Sequence, residues 1–338
     1  MKKTFIIAEL SGNHNNDFDY TKETILAMKD AGADAVKLQT YTADSLTLNV
    51  DNEEFGPRKE GSWKGRKPYD VFSEGALPYE WHEELFNYAR GLGLVCFSSP
   101  FDEDAVDFLE SLGNPIYKVA SFEIQHIPLI EKIAATGKPV IISTGIATLA
   151  DIETALSYFK DKSKVTLLKC TSAYPTPYSE VNLNAILTLK ETFGVNVGLS
   201  DHTLGTAVPV AAAALGASVI EKHFILDRSK GGVDADFSMS PNEFKDMVDS
   251  IRIVEQALGS KTFTLSEGSK KSRLRGRSIY ISRDVKKGDI VTSENIRIVR
   301  PASGLEPKYY GELLGKVFSD DVSAGSPAEL GYFSTRHD

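Results

Sequence analysis

The chain has 338 residues, of which 38 are lysine or arginine and 47 are aspartate or glutamate, so its formal net charge is -9 at pH 7. This length allows one large domain plus a small one. An acidic chain has no global positive field for phosphate groups, which argues against binding to nucleic acid or to anionic membranes. Any anionic ligand must therefore be held by a local cluster of cations.

Cysteine content and the N-terminus indicate the compartment. Only two cysteines are present, Cys96 and Cys170, and each falls within an apolar strand pattern. This usage favours a reducing compartment over a disulfide framework. The first apolar run ends at Glu9, which is too short for a signal peptide, and no segment is long and apolar enough to span a membrane. We therefore expect a cytoplasmic protein that does not bind membranes.

Eight apolar runs rich in Val and Ile recur over roughly the first 260 residues, and a helical pattern follows each of them. This alternation is typical of strands buried on both faces of a parallel sheet. The predicted strands cover residues 5–10, 35–39, 94–99, 116–121, 139–144, 165–171, 195–201 and 218–224. The predicted helices cover residues 20–31, 78–92, 103–112, 128–136, 149–159, 183–193, 206–215 and 241–258. Eight alternations predict an α/β fold, a closed (β/α)8 TIM barrel over residues 1–265, rather than an open doubly wound sheet.

Two further segments depart from this pattern. Residues 46–76 are rich in Gly and charged residues, and a loop of this length is usually functional or mobile. It would lie over the C-terminal edge of the strands, where barrel enzymes place their sites. Residues 266–276 are polar and basic and are predicted to form a linker. Residues 277–338 are predicted to form a small, mostly β domain, with strand-like pieces at 278–281, 290–291 and 296–299.

Polar side chains collect at the predicted C-terminal ends of the strands, which point at the ligand site in a barrel. They are Glu9, Asn13, His14, Lys37, Gln39, Ser98, Ser99, Lys118, Ser121, Glu123, Ser143, Thr144, Lys169, Thr171, Ser172, Ser200, Asp201, His202, Glu221, Lys222 and His223. A lysine in a buried strand is unfavourable unless an anion offsets its charge. Lys37 and Lys118 therefore either face an anionic ligand or form structural ion pairs with carboxylates such as Glu9 and Glu123.

Three hydroxyl groups favour the anionic ligand, because Ser121, Ser143 and Ser200 could donate hydrogen bonds to phosphate oxygens without adding charge. Glu123 follows Lys118 closely in the sequence. Nearby cations lower the pKa of a carboxyl group and burial raises it, so both general acid and general base remain open for Glu123.

Two histidines, His202 and His223, end consecutive strand patterns joined by one helix. In a parallel βαβ unit the two imidazoles would lie at the same edge of the sheet. Two imidazoles suit a transition metal and leave coordination positions for water or substrate. Taken alone, a histidine at the end of a strand is more often a hydrogen-bonded structural residue than a metal ligand.

With these residues assembled, the chain resembles the sialic acid synthase family, which condenses phosphoenolpyruvate with an amino sugar to make a nine-carbon 2-keto acid. The matching motifs are residues 7–9 (IAE), 13–14 (NH), 36–39 (VKLQ), 117–123 (YKVASFE), 143–145 (STG), 170–176 (CTSAYPT), 198–202 (GLSDH), 221–224 (EKHF), 226–228 (LDR), 284–289 (DVKKGD) and 299–301 (VRP). Because the last two lie in the C-terminal part, the resemblance implies a TIM barrel followed by an antifreeze-like (SAF) domain.

Three stretches look most like the pseudaminic acid synthases of this family, namely residues 37–42 (KLQTYT), 97–101 (FSSPF) and 168–172 (LKCTS). The implied reaction is a metal-dependent condensation of phosphoenolpyruvate, water and the open-chain aldehyde of 2,4-diacetamido-2,4,6-trideoxy-L-altrose, giving pseudaminic acid and phosphate. The alternative is a sibling synthase that makes legionaminic or N-acetylneuraminic acid. A non-catalytic carbohydrate-binding protein is the remote alternative, since it would not need both lysines, Glu123 and both histidines.

The resemblance also implies roles for individual residues. The metal ligands would be His202 and His223, holding Mn2+ or Mg2+, with Glu221 steadying a bound water. The phosphoenolpyruvate contacts would be Lys37, Lys118, Ser121, Ser143, Ser172 and Ser200. The sugar contacts would be Glu9, Gln39, Tyr174, Asp234 and Arg300. The catalytic groups would be Glu9, Lys37, Lys118, Glu123 and Glu221.

Two positions depart from the sialic acid synthases. Many of those enzymes carry Asn where Ser172 stands, and residues 302–304 are ASG where they often carry GNG. The second difference is in keeping with a different sugar. In the family, the arginine that matches Arg300 enters the barrel of the partner subunit, which implies a domain-swapped homodimer.

Overall fold

The structure is a computed structural model that describes residues 3–60 and 64–335. The chain divides into two compact units, with the boundary between Gly259 and Ser260. The predicted ends at residues 1 and 338 lie outside the described residues. The predicted domain limits at residues 265 and 276 stay a prediction, because a division into compact units does not define where an independently folding domain ends.

The first unit contains a closed barrel of eight parallel strands that pair in sequence order, with β8 closing on β1. The strands are β1 (Phe5–Glu9), β2 (Ala35–Thr40), β3 (Val95–Pro100), β4 (Tyr117–Val119), β5 (Val140–Ser143), β6 (Val165–Lys169), β7 (Asn196–Asp201) and β8 (Val219–His223). The predicted (β/α)8 barrel is therefore confirmed. Most predicted strands were too long, because the apolar runs continue into the turns at the barrel rim.

Helices surround the barrel and follow the strands. They are α1 (Phe18–Asp30), α2 (Ala43–Leu46), α3 (Pro68–Gly75), α4 (His82–Gly91), α5 (Glu103–Ser111), α6 (Ile127–Ala135), α7 (Leu149–Ser157), α8 (Ala185–Phe193), α9 (Ala207–Ala214) and α10 (Pro241–Ala257). Helix α7 begins at Thr148, whose hydroxyl accepts from the backbone N–H of Asp151 in a capping box. At the start of helix α10, the backbone N–H and the hydroxyl of Ser240 both donate to the carboxylate of Glu243.

The segment after β2, predicted as a long loop over residues 46–76, contains helix α3 at its end. Pro68 begins this helix, where a missing backbone N–H costs nothing. Tyr41 packs its ring edge-on against Phe101, with ring centroids 5.2 Å apart, so the start of this connection lies beside the loop after β3.

Two apolar cores stabilise the barrel. The larger one lies between the strands and the helices and includes Ile6, Val36 and Leu167. The smaller one contains the alternate strand residues and therefore fills the barrel interior. Its buried members are Ile7, Ala35, Phe97, Ile141, Leu168 and Val219. These six side chains form the floor on which the candidate site is built.

The second unit is small and has its own apolar core, around Ile279, Ile296 and Phe318. Its elements are α11 (Glu267–Arg273), β9 (Ser278–Ile281), β10 (Ile296–Val299), α12 (Tyr310–Leu313), β11 (Val317–Phe318) and β12 (Phe333–Ser334). Strands β9 and β10 pair antiparallel, as do β11 and β12. The predicted strand pieces at 278–281 and 296–299 are confirmed.

One prediction for this unit was wrong in detail. Residues 290–291 form no strand, because only Ile290 makes an isolated bridge, to Val317. The predicted linker contains the short helix α11, which begins at Ser266 with a side-chain hydrogen bond to the backbone of Ser269. Among residues 3–60 and 64–335, no helix combines the length and apolar character needed to cross a membrane.

Candidate active site

The candidate site lies one layer above the apolar floor of the barrel. Side chains alternate between the two faces of a strand, so a residue two positions after a floor residue also points into the barrel. The residues at this step are Glu9 after Ile7, Lys37 after Ala35, Ser99 after Phe97, Ser143 after Ile141, Cys170 after Leu168 and Glu221 after Val219. The barrel interior therefore changes from apolar to ionic within one step of each strand.

Two lysines and two glutamates form a buried ionic cluster in this layer. Lys37 Nζ lies 2.7 Å from Glu9 Oε2 and 3.8 Å from Glu221 Oε1, and Lys118 Nζ lies 3.7 Å from that same Glu221 oxygen. None of the four residues is more than 4% exposed. Lys37 thus pairs with Glu9, as one of the two sequence interpretations allowed, whereas the partner of Lys118 is Glu221 and not Glu123.

Mutual attraction outweighs burial for Lys37 and Glu221, whereas burial outweighs it for Glu9 and raises the pKa of that carboxyl group. Burial would raise the pKa of Glu221, but the charges of Lys118 and Lys37 lower that pKa below its ordinary value. Burial would likewise lower the pKa of Lys37, but Glu221 and Glu9 raise it. For Lys118 burial prevails, and its pKa falls below the ordinary value. Lys118 is therefore the lysine that gains most from an additional anion.

Serine hydroxyls complete the cluster on three sides. Lys118 Nζ donates to Ser143 Oγ at 2.7 Å, and Lys37 Nζ donates to Ser99 Oγ at 3.4 Å. Ser200 Oγ donates to Glu221 Oε1 at 3.0 Å. The second oxygen of Glu221 is buried and has no hydrogen-bond partner within the described parts of the chain. A buried oxygen of this kind normally has a partner, so Glu221 has capacity for a bound water or ligand group.

A second group of small polar side chains surrounds Gly145, which follows β5. The backbone N–H of Gly145 donates to Ser121 Oγ at 3.0 Å. A Cβ atom at Gly145 would lie 2.2 Å from Ser172 Oγ, 2.8 Å from Ser121 Oγ and 3.2 Å from Cys170 Sγ. The chain therefore needs glycine here, because any side chain would displace the two hydroxyl groups. Ser172 Oγ is buried and lacks a hydrogen-bond partner in the described structure.

Glu123 lies in the short 3-10 turn after β4. Burial raises its pKa to about 7, against the charges of Lys118 and Lys37, which lower it. One carboxylate oxygen of Glu123 is buried and makes no hydrogen bond among the residues described. A carboxyl group with a pKa near neutrality can both accept and release a proton, so Glu123 is suited to proton transfer.

The two imidazoles meet at the rim. The ring centroids of His202 and His223 are 5.2 Å apart, and Phe237 packs edge-on against both, at 5.9 and 4.9 Å. Tyr174 lies over His202 with a centroid distance of 4.3 Å. Burial, together with the charge of His202, lowers the pKa of His223 well below its ordinary value.

A polar group beside the imidazoles contains the predicted sugar residues Glu9, Gln39 and Asp234. Gln39 Nε2 donates to Glu9 Oε1 at 2.9 Å, and Asp234 Oδ2 lies 3.9 Å from His223 Nδ1. Burial raises the pKa of Asp234, although its hydrogen bond from Ser11 counteracts this. The hydroxyl group of Ser11 is hydrogen-bonded to both Gln39 and Asp234.

Two lysines at the strand ends have roles outside this cluster. Lys222 Nζ lies 2.5 Å from Asp201 Oδ2, and both residues are buried, so they form a structural ion pair. Lys169 Nζ donates to Thr171 Oγ1 at 3.0 Å. Lys169 is one step out of phase with Leu168 and Cys170, so it points away from the barrel interior.

Comparisons with known proteins identify the family. A family model described as the NeuB family matches residues 24–263, and one described as the SAF domain matches residues 276–329. The chain belongs to the NeuB family. The pseudaminic acid synthase of Campylobacter jejuni subsp. jejuni is 49% identical over 96% of this chain and 95% of that protein. The N,N'-diacetyllegionaminic acid synthase of Legionella pneumophila is 40% identical over 95% of this chain and 92% of that protein.

Among solved structures, the N-acetylneuraminic acid synthetase of Leptospira borgpetersenii superposes on this NeuB-family chain with a TM-score of 0.71 at 33% identity. The superposition covers 80% of this chain and 90% of that one. The predicted family and the predicted order of a TIM barrel and an SAF domain are therefore confirmed.

NeuB-family membership implies a divalent metal, and the imidazoles fit one in part. His202 Nδ1 lies 3.1 Å from the carbonyl of Thr171, which can only accept, so Nδ1 carries a proton and Nε2 is the nitrogen that a metal would use. His223 Nδ1 is buried without a hydrogen-bond partner in the described part of the chain. Among the described residues no three His, Cys, Asp or Glu side chains form a metal-binding group. Water and substrate would therefore supply the other ligands.

Sequence reasoning missed four residues of this site, namely Ser11, Gly145, Cys170 and Phe237. Cys170 is signalled by its two-residue spacing from Leu168, whereas Ser11 and Phe237 lie in loops without periodicity. Arg300 belongs to the second unit, where it is exposed and follows β10. Its expected contact with the sugar stays a prediction.

Proposed function

We propose that this chain is a pseudaminic acid synthase. It condenses phosphoenolpyruvate with the open-chain aldehyde of 2,4-diacetamido-2,4,6-trideoxy-L-altrose and water, giving pseudaminic acid and phosphate. The observation that carries this proposal is the buried cluster of Lys37 and Lys118 with Glu9 and Glu221, next to paired imidazoles. The choice of sugar is supported by the higher sequence identity to the pseudaminic than to the legionaminic acid synthase.

Phosphoenolpyruvate would bind through positioning and electrostatics. Lys37 and Lys118 supply charge, and the hydroxyls of Ser143, Ser121 and Ser172 supply directed donors from separate, rigid strand ends. The serines would orient the phosphate while the lysines balance its charge. The lysines lie in strands rather than loops, so their positions are fixed before the substrate arrives.

The metal would be Mn2+ or Mg2+, held by His202 and His223. When bound, such an ion supplies Lewis-acid polarisation of the aldehyde oxygen. The side chains of Glu9, Gln39 and Asp234 lie beside the imidazoles, where they would hold the hydroxyl and acetamido groups of the sugar. Tyr174 would cover the sugar from the His202 side.

The condensation forms one new carbon–carbon bond and consumes one water molecule. The methylene carbon of phosphoenolpyruvate attacks the aldehyde carbon, and water adds to the neighbouring enol carbon. Breaking the bond between that carbon and the phosphate oxygen releases phosphate and leaves the 2-keto group. Of the two protons of the water, one ends on the former aldehyde oxygen, which becomes a hydroxyl group, and the other on the released phosphate. Glu123 would take the proton from the attacking water, since its pKa of about 7 lets it accept a proton at neutral pH. Glu221 would steady a bound water with its free oxygen.

A panel of sugars tests the proposal. Phosphate release from phosphoenolpyruvate should be fastest with the altro-configured 2,4-diacetamido sugar, and mass spectrometry should show pseudaminic acid as the product. Faster turnover of the manno-configured diacetamido sugar, or of N-acetylmannosamine, would identify the sibling legionaminic or N-acetylneuraminic acid synthase instead. Sugar binding without phosphate release would support a non-catalytic carbohydrate-binding protein.

The active form is proposed to be a domain-swapped homodimer, in which Arg300 of one subunit contacts the sugar in the barrel of the other. Within residues 3–60 and 64–335, the hydrogen-bond and ion-pair partners of Lys37, Lys118 and the two imidazoles include no arginine. An arginine from a partner would add a donor for the sugar hydroxyls. Mixing the Arg300→Ala and His202→Ala variants tests this arrangement.

A further inference from the structure

Ser11, in the loop after β1, has an uncommon backbone conformation. Its φ angle is +53°, in the left-handed region, and its side chain is buried, with 4% exposure. Asn15 and Asn16 in the same loop also have positive φ angles, but asparagine tolerates this region better than serine. Such conformations persist only where the surrounding structure imposes them, and they concentrate at functional sites.

Ser11 contacts three of the residues predicted to bind the sugar. Its hydroxyl donates to Asp234 Oδ2 in a very short hydrogen bond and accepts from Gln39 Nε2 at 3.3 Å. Its backbone N–H donates to Glu9 Oε1 at 3.2 Å. One serine thus joins the ends of β1 and β2 to the loop after β8, and its left-handed backbone directs the hydroxyl group between them.

These contacts fix how the partner side chains present themselves. Gln39 Nε2 donates both to Glu9 and to Ser11, so the amide nitrogen is engaged and the amide oxygen remains for a ligand. The Asp234 carboxylate accepts from the Ser11 hydroxyl and also from the backbone N–H of Gly12. Without the hydroxyl, both side chains would gain rotational freedom in a site that must hold a flexible substrate.

We propose that Ser11 is a positioning residue that orients Gln39 and Asp234 toward the amino sugar, and that it thereby sets the affinity for the sugar but not for phosphoenolpyruvate. This inference rests on the proposed function. The chemistry that fits is a substrate with several hydroxyl and amide N–H donors, because a fixed amide oxygen and a fixed carboxylate are both acceptors.

A pair of substitutions separates the hydroxyl from the backbone. Ser11→Gly and Ser11→Ala both remove the hydroxyl, but glycine adopts a positive φ without strain and alanine does not. In both variants the KM for the sugar should rise about tenfold, as expected for losing hydrogen bonds to a charged group. The KM for phosphoenolpyruvate should change by less than about twofold. The thermal midpoint of Ser11→Gly should be at least that of Ser11→Ala.

Two outcomes would overturn the inference. A wild-type KM for the sugar in Ser11→Gly would show that the backbone conformation alone matters. Equal increases in the KM for both substrates would show that the loop is disturbed generally. A double-mutant cycle with Asp234→Asn adds a positive test, because partners in one network should show non-additive effects.

Calorimetric titration of the protein with the altro-configured sugar, without phosphoenolpyruvate, separates this inference from the proposed function. One outcome is that both variants bind the sugar more weakly than the wild type, while the wild type releases no phosphate. This outcome would support the role of Ser11 and refute the synthase. If the wild type turns over and the variants bind the sugar as tightly as the wild type, the synthase is supported and the role of Ser11 is refuted. A wild type that neither binds the sugar nor releases phosphate would refute both.

Discussion

Lys118 and Glu221 lie 3.7 Å apart at the centre of the barrel, with both side chains almost fully buried. The same oxygen of Glu221 also faces Lys37 at 3.8 Å, so one carboxylate balances two ammonium groups. Removing one member of a buried ionic cluster leaves an uncompensated charge, which is far more costly than losing an exposed pair.

Glu221→Gln should therefore lower the free energy of unfolding by about 3–5 kcal/mol, as expected for a broken buried ion pair. Phosphoenolpyruvate should then raise the thermal midpoint of this variant by more than it raises that of the wild type, because the bound anion takes over as counter-charge. Glu306→Gln, which removes the exposed partner of Lys308, is the matched control and should change neither quantity. No stabilisation of Glu221→Gln by the anion would argue that the lysines are purely structural.

Glu123 gives the protein a pH dependence of stability near neutrality. Its pKa is raised from 4.5 to about 7 in the folded chain. A raised pKa means that the folded state binds the proton more tightly than the unfolded state. The contribution of Glu123 is thus fully present below pH 4.5 and is lost as the pH rises through about 7. Chemical denaturation of the wild type and Glu123→Gln across this range should show the wild type losing stability relative to the variant. Parallel curves would contradict the raised pKa.

Gly145→Ala tests whether the hydroxyl groups of Ser121 and Ser172 bind the phosphate of phosphoenolpyruvate. The added Cβ would lie 2.2 Å from Ser172 Oγ and 2.8 Å from Ser121 Oγ, so both side chains must move. The KM for phosphoenolpyruvate should rise by about tenfold or more, since directed donors to a charged group are lost. Gly91→Ala, where an added Cβ meets nothing within 4 Å, is the control and should behave like the wild type. A Gly145→Ala variant with unchanged kinetics would remove these serines from the substrate site.

Mixing two inactive variants tests the proposed exchange of Arg300 between subunits. Arg300→Ala and His202→Ala should each have little synthase activity when purified alone. After joint refolding, mixed dimers should regain part of the activity, because the barrel with intact histidines then receives Arg300 from the other subunit. No recovery in mixtures that are shown to form mixed dimers would indicate that Arg300 acts within its own subunit or not at all.

The barrel could be predicted from the sequence because each strand is buried on both faces and thus appears as an unbroken apolar run. Ser278–Ile281 and Ile296–Val299 were equally recognisable, since each is long enough to form a paired strand. Residues 290–291 were too few to pair as a strand, and Ile290 makes only a single bridge. The polar helix α11 carries no apolar stripe, so no periodic pattern distinguishes its sequence from that of a linker.

The contacts within the candidate site were harder to predict than the types of residue that form it. That Lys37 and Lys118 occupy buried strands follows from their apolar neighbours, but which carboxylate meets which lysine depends on strand register. Glu221 Oε1 lies within 4 Å of both lysine ammonium groups across the barrel, and this proximity cannot be read from the spacing of the three residues in the sequence. Ser11 and Phe237 act through loop conformations, where neither a period of two nor one of 3.6 exists to guide a prediction.

The most direct measurement of the central claim is the initial rate of phosphate release with each component omitted in turn. The complete mixture contains the wild-type protein, phosphoenolpyruvate, the altro-configured diacetamido sugar and Mn2+. We expect phosphate release only in that mixture, with loss of the signal when the sugar is left out or when a chelator replaces the metal. Phosphate release that continues without the sugar, or that a chelator leaves unchanged, would contradict a metal-dependent condensation in this barrel.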